Sequence, residues 1–123
     1  MKLRGWISPG PCAKVRIRSA SGRSVIVTVD TGFTEELALP MAGIRRLGFE
    51  GPIAEESCVL GDGSVTTFPV YRGRLRWFGK IRPVQAFASP SDEGLLGMGM
   101  LREARLTVET DRGRVAIERT GKA

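Results

Sequence analysis

Glycine and proline punctuate this chain at short intervals, 16 and 7 of them, and the stretches between are short runs rich in β-branched residues. Such punctuation belongs to a mostly-β sandwich or barrel of antiparallel hairpins. The first pair of strands reads as 13–19 and 24–30 around a turn at Ser21-Gly22, and Val25 to Val29, apolar on both faces, predicts a central strand. A short apolar strand, 37–39, precedes Pro40. Met41, Ile44 and Leu47 then share one face of a two-turn helix that Gly48 stops. Two further hairpins are expected, one of 57–60 and 65–71 about Gly61-Asp62-Gly63-Ser64, the other of 75–78 and 81–88 about Gly79-Lys80. Residues 89–94 form a loop leading to the apolar run 95–101, and 105–109 with 114–118 make a last hairpin around Asp111-Arg112-Gly113. There is no internal repeat or linker.

At 123 residues the chain has the size of one domain, taken as 1–123 with a core from about 13 to 118. Nothing in it reaches 18 consecutive apolar residues, and the first residues lack the apolar core of a secretory signal, so no membrane association and a cytoplasmic location are expected. Cys12 and Cys58 match no metal-ligand spacing and read as reduced structural residues. Histidine is absent, which removes Ser-His and Cys-His nucleophile pairs and nearly every zinc site. Neither a metal nor a cofactor is expected. No Gly-x-x-x-x-Gly-Lys loop or dinucleotide glycine pattern occurs, and Lys14 and Lys80 read as solvated amines. The net charge of +6 would attract a polyanion, but Lys14, Arg16, Arg18 and Arg72, Arg74, Arg76 alternate as on the solvated face of a strand.

Asp30 ends the apolar strand and is followed at once by Thr31 and Gly32. A carboxylate where a central strand leaves its sheet is costly unless something pairs with it. An Asx turn at a strand end is the ordinary alternative, and by chance roughly one or two chains per hundred of this length hold Asp-Thr-Gly. Hydrolysis by carboxylates requires two of them, one to take a proton from water and one to protonate the substrate carbonyl. Asp62, Asp92 and Asp111 sit in predicted turns with no Thr-Gly after them, so the partner carboxylate must come from a second copy across a twofold axis.

In Val27-Thr28-Val29-Asp30-Thr31-Gly32-Phe33-Thr34, in Gly61-Asp62-Gly63-Ser64 with Val70-Tyr71-Arg72-Gly73, and in Leu95-Leu96-Gly97-Met98 running into Leu101 and 105–108, the chain resembles the retropepsin-like aspartic peptidases, in particular small prokaryotic members with one motif per chain. The resemblance implies a homodimeric aspartic endopeptidase of closed barrel or sandwich form with one or two short helices. It further implies that Asp30 and its mate hold the attacking water, that Thr31 buttresses the two loops, and that Gly32 allows close approach of substrate. A flap tip of Asp62, Gly63 and Ser64 would cover a peptide or protein substrate, with Phe33 a candidate for the pocket wall beside Val65 and Phe87. Leu96 and Gly97 would pass beneath the loop and support it. Gly99 departs from the family, which often has Asp or Asn there, and this leaves the hydrogen bonding of the next short helix to be accounted for. Glu35 and Glu36 add negative charge that would raise the pKa of the pair, unless they face water. The dimer is expected through the terminal strands near 1–7 and 114–118.

Two other readings compete. One is a catalytically silent dimer of the same fold that binds peptides or a protein partner, since folds outlive the chemistry mounted on them. The other is a basic barrel that binds nucleic acid along Arg16, Arg18, Arg72, Arg74 and Arg76, with Tyr71 and Trp77 stacking on bases; the core character of most of the aromatics counts against it.

Overall fold

A computed structural model describes residues 1–121; Lys122 and Ala123, the end of the expected domain, lie outside it. Ten strands, β1 (Lys2–Ser8), β2 (Cys12–Ser19), β3 (Ser24–Val29), β4 (Leu37–Leu39), β5 (Glu50–Val59), β6 (Val65–Trp77), β7 (Lys80–Ala88), β8 (Leu95–Leu96), β9 (Ala104–Glu109) and β10 (Arg114–Arg119), join in the order β5-β6-β7-β4-β8-β3-β2-β1-β10-β9. A further pairing of β2 with β6, Arg18 opposite Arg76 and Ser19 opposite Leu75, curls the sheet back on itself. One short helix, α1 (Met41–Leu47), and a 3-10 turn, Met98–Met100, complete the elements.

The period-2 pattern explains most of these strands. Val15 and Ile17 of β2 are fully buried while Arg16 and Arg18 face water, and Val115 and Ile117 of β10 repeat the arrangement. Packed against Val27, Leu37, Leu39, Leu75, Leu96 and Met100 they form the main core, and each such side chain contributes about 1.5–3 kcal/mol by leaving water. The helix follows its expected bounds. Gly48 adopts φ 72°, and the amides of Gly48 and Phe49 return to the carbonyls of Arg45 and Ile44, closing the last turn.

Three expectations need correction. β3 is interior in the sheet, but Ile26 is 46% exposed, so the strand is covered fully on one face only. β6 runs unbroken from Val65 to Trp77 where two separate strands were expected, because Gly73 interrupts nothing: the Phe49 ring occupies the space its missing side chain leaves, 2.0 Å from where a Cβ would stand. The turn that ends β6 falls on Phe78-Gly79, both at positive φ, one residue before the expected Gly79-Lys80. At the termini, β10 is bonded along its length to both β1 and β9, while β1 meets β10 over Lys2–Trp6 and β2 over Trp6–Ser8.

Sheet faces decide where a site can lie. Leu37, Leu39, Val84, Ala86 and Leu96 point into the main core, and their neighbours Ala38, Phe87 and Leu95 point the other way. On that opposite face Ala38, Val70 and Phe87 gather with Phe33, Cys58, Phe68 and Leu95 in a second apolar cluster. β6 serves both, with Phe68 and Val70 in the small cluster and Leu75 and Trp77 in the large one.

Candidate functional site

β8 lies between β3, with which it runs parallel, and β4, with which it runs antiparallel. The loop 30–36 therefore has to cross the end of β8 on its way from β3 to β4. It is fastened there from both sides. The Asp30 amide donates to the Leu96 carbonyl (2.9 Å), the Gly97 amide to Glu36 (2.8 Å), the Met98 amide to Phe33 (2.7 Å) and the Gly99 amide to Glu35 (3.1 Å). Four backbone bonds hold the loop at the positions that matter, so its geometry is inherited from the sheet. Gly97 is required by this closeness, because a Cβ would stand 2.2 Å from the Glu35 carbonyl oxygen.

Within the loop, Asp30 is half-buried and its Oδ1 accepts the Gly32 amide at 2.9 Å, closing an Asx turn. No cation is paired with it among the described residues. A Cβ on Gly32 would come within 3.2 Å of that Oδ1, tighter than ordinary contact. Thr31 and Gly32 are exposed, and the Thr31 hydroxyl has no hydrogen bond among the described residues. Phe33 turns back to meet Phe87 edge-on at 6.0 Å, and Phe68 stacks on Phe87 at the same spacing.

The structure thus brings Asp30, Thr31, Gly32, Phe33, Leu96 and Gly97 together. Asp62, Gly63 and Ser64 stand apart, at the exposed tip of the β5–β6 hairpin. The link between the two is Cys58, which shares the apolar cluster with Phe33. Its thiol is pushed up by burial, then by the charges of Glu35 and Glu56, which favours the protonated form. Val65 lies beside the tip and is 66% exposed, whereas Phe87 is buried beneath Phe33 and Phe68.

Glu36 is held by β7. Its carboxylate is taken by Arg82 Nη2 (2.9 Å) and by the Gln85 amide (2.8 Å). Arg82 Nη2 also donates to the Gly99 carbonyl at 3.0 Å, and Nη1 to that of Met100 at 3.5 Å. Sequence reasoning passed over this side chain, yet it supplies hydrogen bonds to the turn that Gly99 left in question. The signal was readable: Arg82, Val84 and Ala86 alternate on the inward face of β7, and a charge at an inward position requires partners. Gly99 itself has a steric reason, since a Cβ there would lie 2.9 Å from the Glu35 carbonyl carbon.

Behind Asp30, Lys14 Nζ donates to Thr28 Oγ1 and to Glu93 (3.2 Å), and the Thr28 hydroxyl donates to Glu93. The Thr28 bond and then Lys14 hold the Glu93 carboxyl below its ordinary range. Lys14 is thereby engaged as a tether of the loop 89–94. Trp77 is 7% exposed and packs on Phe78, and Tyr71 lies half-buried against the core. Among the described residues no three His, Cys, Asp or Glu side chains gather to hold a metal, and no helix is long and apolar enough to cross a membrane. A cavity of about 730 Å³ opens elsewhere, between Ser19–Ser21, Gly48 and Arg72–Arg74, and Asp30 does not line it.

No protein-family model matches the chain, and no curated protein does. A retropepsin-like aspartic protease from Rickettsia conorii superposes with a TM-score of 0.71 over 99% of this chain and 94% of that one, at 13% identity. The fold is retropepsin-like. Simian foamy virus (mac) protease shares the retropepsin-like architecture at a TM-score of 0.52, with 20% identity over 72% of this chain and 91% of that one. A foamy viral protease-reverse transcriptase matches at 0.54 and 16% identity, over 78% of this chain and 16% of its own.

Proposed function

We propose that the chain is an aspartic endopeptidase, active as a homodimer in which Asp30 of each subunit contributes one carboxylate to a shared site. The observation that carries this reading is the mounting of Asp30: a carboxylate with no cation beside it among the described residues, bonded to the Gly32 amide on a loop fixed by four backbone bonds to 96–99. A surface carboxylate without function needs no such support. The retropepsin-like fold and the free Thr31 hydroxyl, available to a second loop across a twofold axis, support it further.

In the dimer two carboxylates about 3 Å apart cannot both ionise, so they share one proton. The ionised member takes a proton from water as it attacks the peptide carbonyl, and the protonated member donates to the carbonyl oxygen. Activity then requires one proton on the pair and falls on either side of that state, giving a bell-shaped pH profile whose limbs belong to the pair. The hairpin tip at Asp62–Ser64, flanked by exposed Val59, Leu60 and Val65, serves as the flap over the substrate, with Thr31, Gly32 and Phe33 beneath it.

The test is cleavage of an unfolded protein across pH 3 to 8 at high protein concentration, with Asp30→Ala as the control and sedimentation to read the oligomer. Bell-shaped cleavage by the wild type and none by a dimeric variant is expected. If both dimerise and neither cuts, the chain is a binding module on this fold.

A further inference from the structure

The sheet order ends in β5 and β9, and each has one edge without a neighbouring strand among the described residues. Such an edge presents unpaired amides and carbonyls to any strand that can meet it. β5 reads Glu-Gly-Pro-Ile-Ala-Glu-Glu-Ser-Cys-Val, with three carboxylates, no basic residue and a proline that donates nothing. Against its own copy it would set like charges together. β9 reads Ala-Arg-Leu-Thr-Val-Glu and carries no such defence.

We propose that β9 is the seam of the homodimer, pairing antiparallel with β9 of a second copy about a twofold axis at Thr107. The inference rests on the homodimer reading given above and adds its surface and register. With Thr107 opposite itself, Arg105 faces Glu109 of the copy and Leu106 faces its Val108, each pair occurring twice by symmetry. The two faces of the strand agree with this register. Leu106 packs toward the core and Val108, on the same face, is 43% exposed, so the second copy continues the apolar layer and covers Val108. Arg105 and Thr107 face water on the other side, where, among the described residues, Arg105 pairs with Glu118 at 3.4 Å and Glu109 with Arg112 at 3.7 Å. A register centred on Leu106 would place Arg105 opposite Thr107 and remove both charge pairs. β1 and β10, bonded on both sides, then back the seam in each subunit, giving six strands in the order β1-β10-β9-β9-β10-β1.

The experiment measures the dimer dissociation constant by sedimentation for the full chain, Arg105→Glu, Glu109→Arg, the double variant, and an equimolar mixture of the two single variants. Each single change sets like charges opposite one another twice, and about tenfold weaker association or more is expected. The mixture forms a heterodimer in which both facing pairs are again opposite in sign, and the double variant restores them within a homodimer. Both should return to near wild-type association. In the mixture each chain keeps its altered contacts with Glu118 or Arg112, so recovery there reports the seam and not the folding of a subunit. Dimers indifferent to the single changes, a wild type that stays monomeric, or a mixture that stays dissociated while circular dichroism shows folded chains would each overturn the proposal. Cleavage is read alongside: charge-dependent dimers that cut nothing uphold the seam and refute the peptidase reading.

Discussion

Gly97 and Gly99 meet the same obstacle, the backbone of Glu35, at different depths. A Cβ on Gly97 would stand 2.2 Å from the Glu35 oxygen, and one on Gly99 would stand 2.9 Å from the Glu35 carbon, both against backbone that cannot swing aside. Gly97→Ala should therefore cost about 1–3 kcal/mol or more and Gly99→Ala less, while Gly61→Ala, with open space around it, should stay within about 0.5 kcal/mol. Urea unfolding of the three variants gives the order, and equal losses at 97 and 61 would refute the account. Arg82→Met leaves the Gly99 carbonyl and the Glu36 carboxylate short of a donor and should cost about 1–3 kcal/mol, with Arg82→Lys recovering part of it through a single ammonium. At this scale the sequence makes Asp30 and Gly97 legible, because each belongs to a short run whose residue types have few other uses. Arg82 was not legible as part of the site, since its partners lie 17 and 46 residues away and only folding unites them.

The β5–β6 hairpin, as an element, owes its closed tip to one carboxylate. Asp62 Oδ1 accepts the Ser64 amide at 2.9 Å and the Ser64 hydroxyl at 2.6 Å, and the Leu60 amide reaches the Ser64 carbonyl at 2.8 Å. The hydroxyl bond first and the amide bond second hold the Asp62 carboxyl below its ordinary value. With the folded value below that of an open tip, the turn is fully favoured above the ordinary carboxylate value and weakens as pH falls through the lowered one. The Ser64 amide resonance should shift with a midpoint below 3.8 in the wild type, and Asp62→Asn, whose side-chain oxygen accepts without titrating, should remove that transition. A midpoint at or above 3.8 would show that the bonds do not form. The position of this hairpin is readable from Gly-Asp-Gly-Ser, yet its length is not: the glycine at 73 looks like punctuation until Phe49, from a different segment, fills its place. Strand pairing across the sheet likewise set β1 between β2 and β10, a placement that no run of residues within β1 announces.

For the whole molecule, the proposed site takes one catalytic aspartate, Asp30, from each subunit, so on that proposal no single subunit contains a complete site, and this has a quantitative signature. Suppose wild type and Asp30→Ala associate equally, as they should if the seam lies at β9, on a different strand from the mutated loop. In a random mixture with wild-type fraction f, the share of dimers holding two Asp30 carboxylates is f squared, so an equal mixture retains about one quarter of the cleavage rate of the same total amount of wild type. A subunit that worked alone would retain half, and a dimer working from one carboxylate about three quarters. The mixture must be held above the dissociation constant and given time to exchange, which the fall of specific activity on dilution of wild type calibrates. Rates following f squared across several mixing ratios would establish that the chemistry belongs to the pair. A linear dependence would assign it to one chain and remove the reason for a twofold site at Asp30.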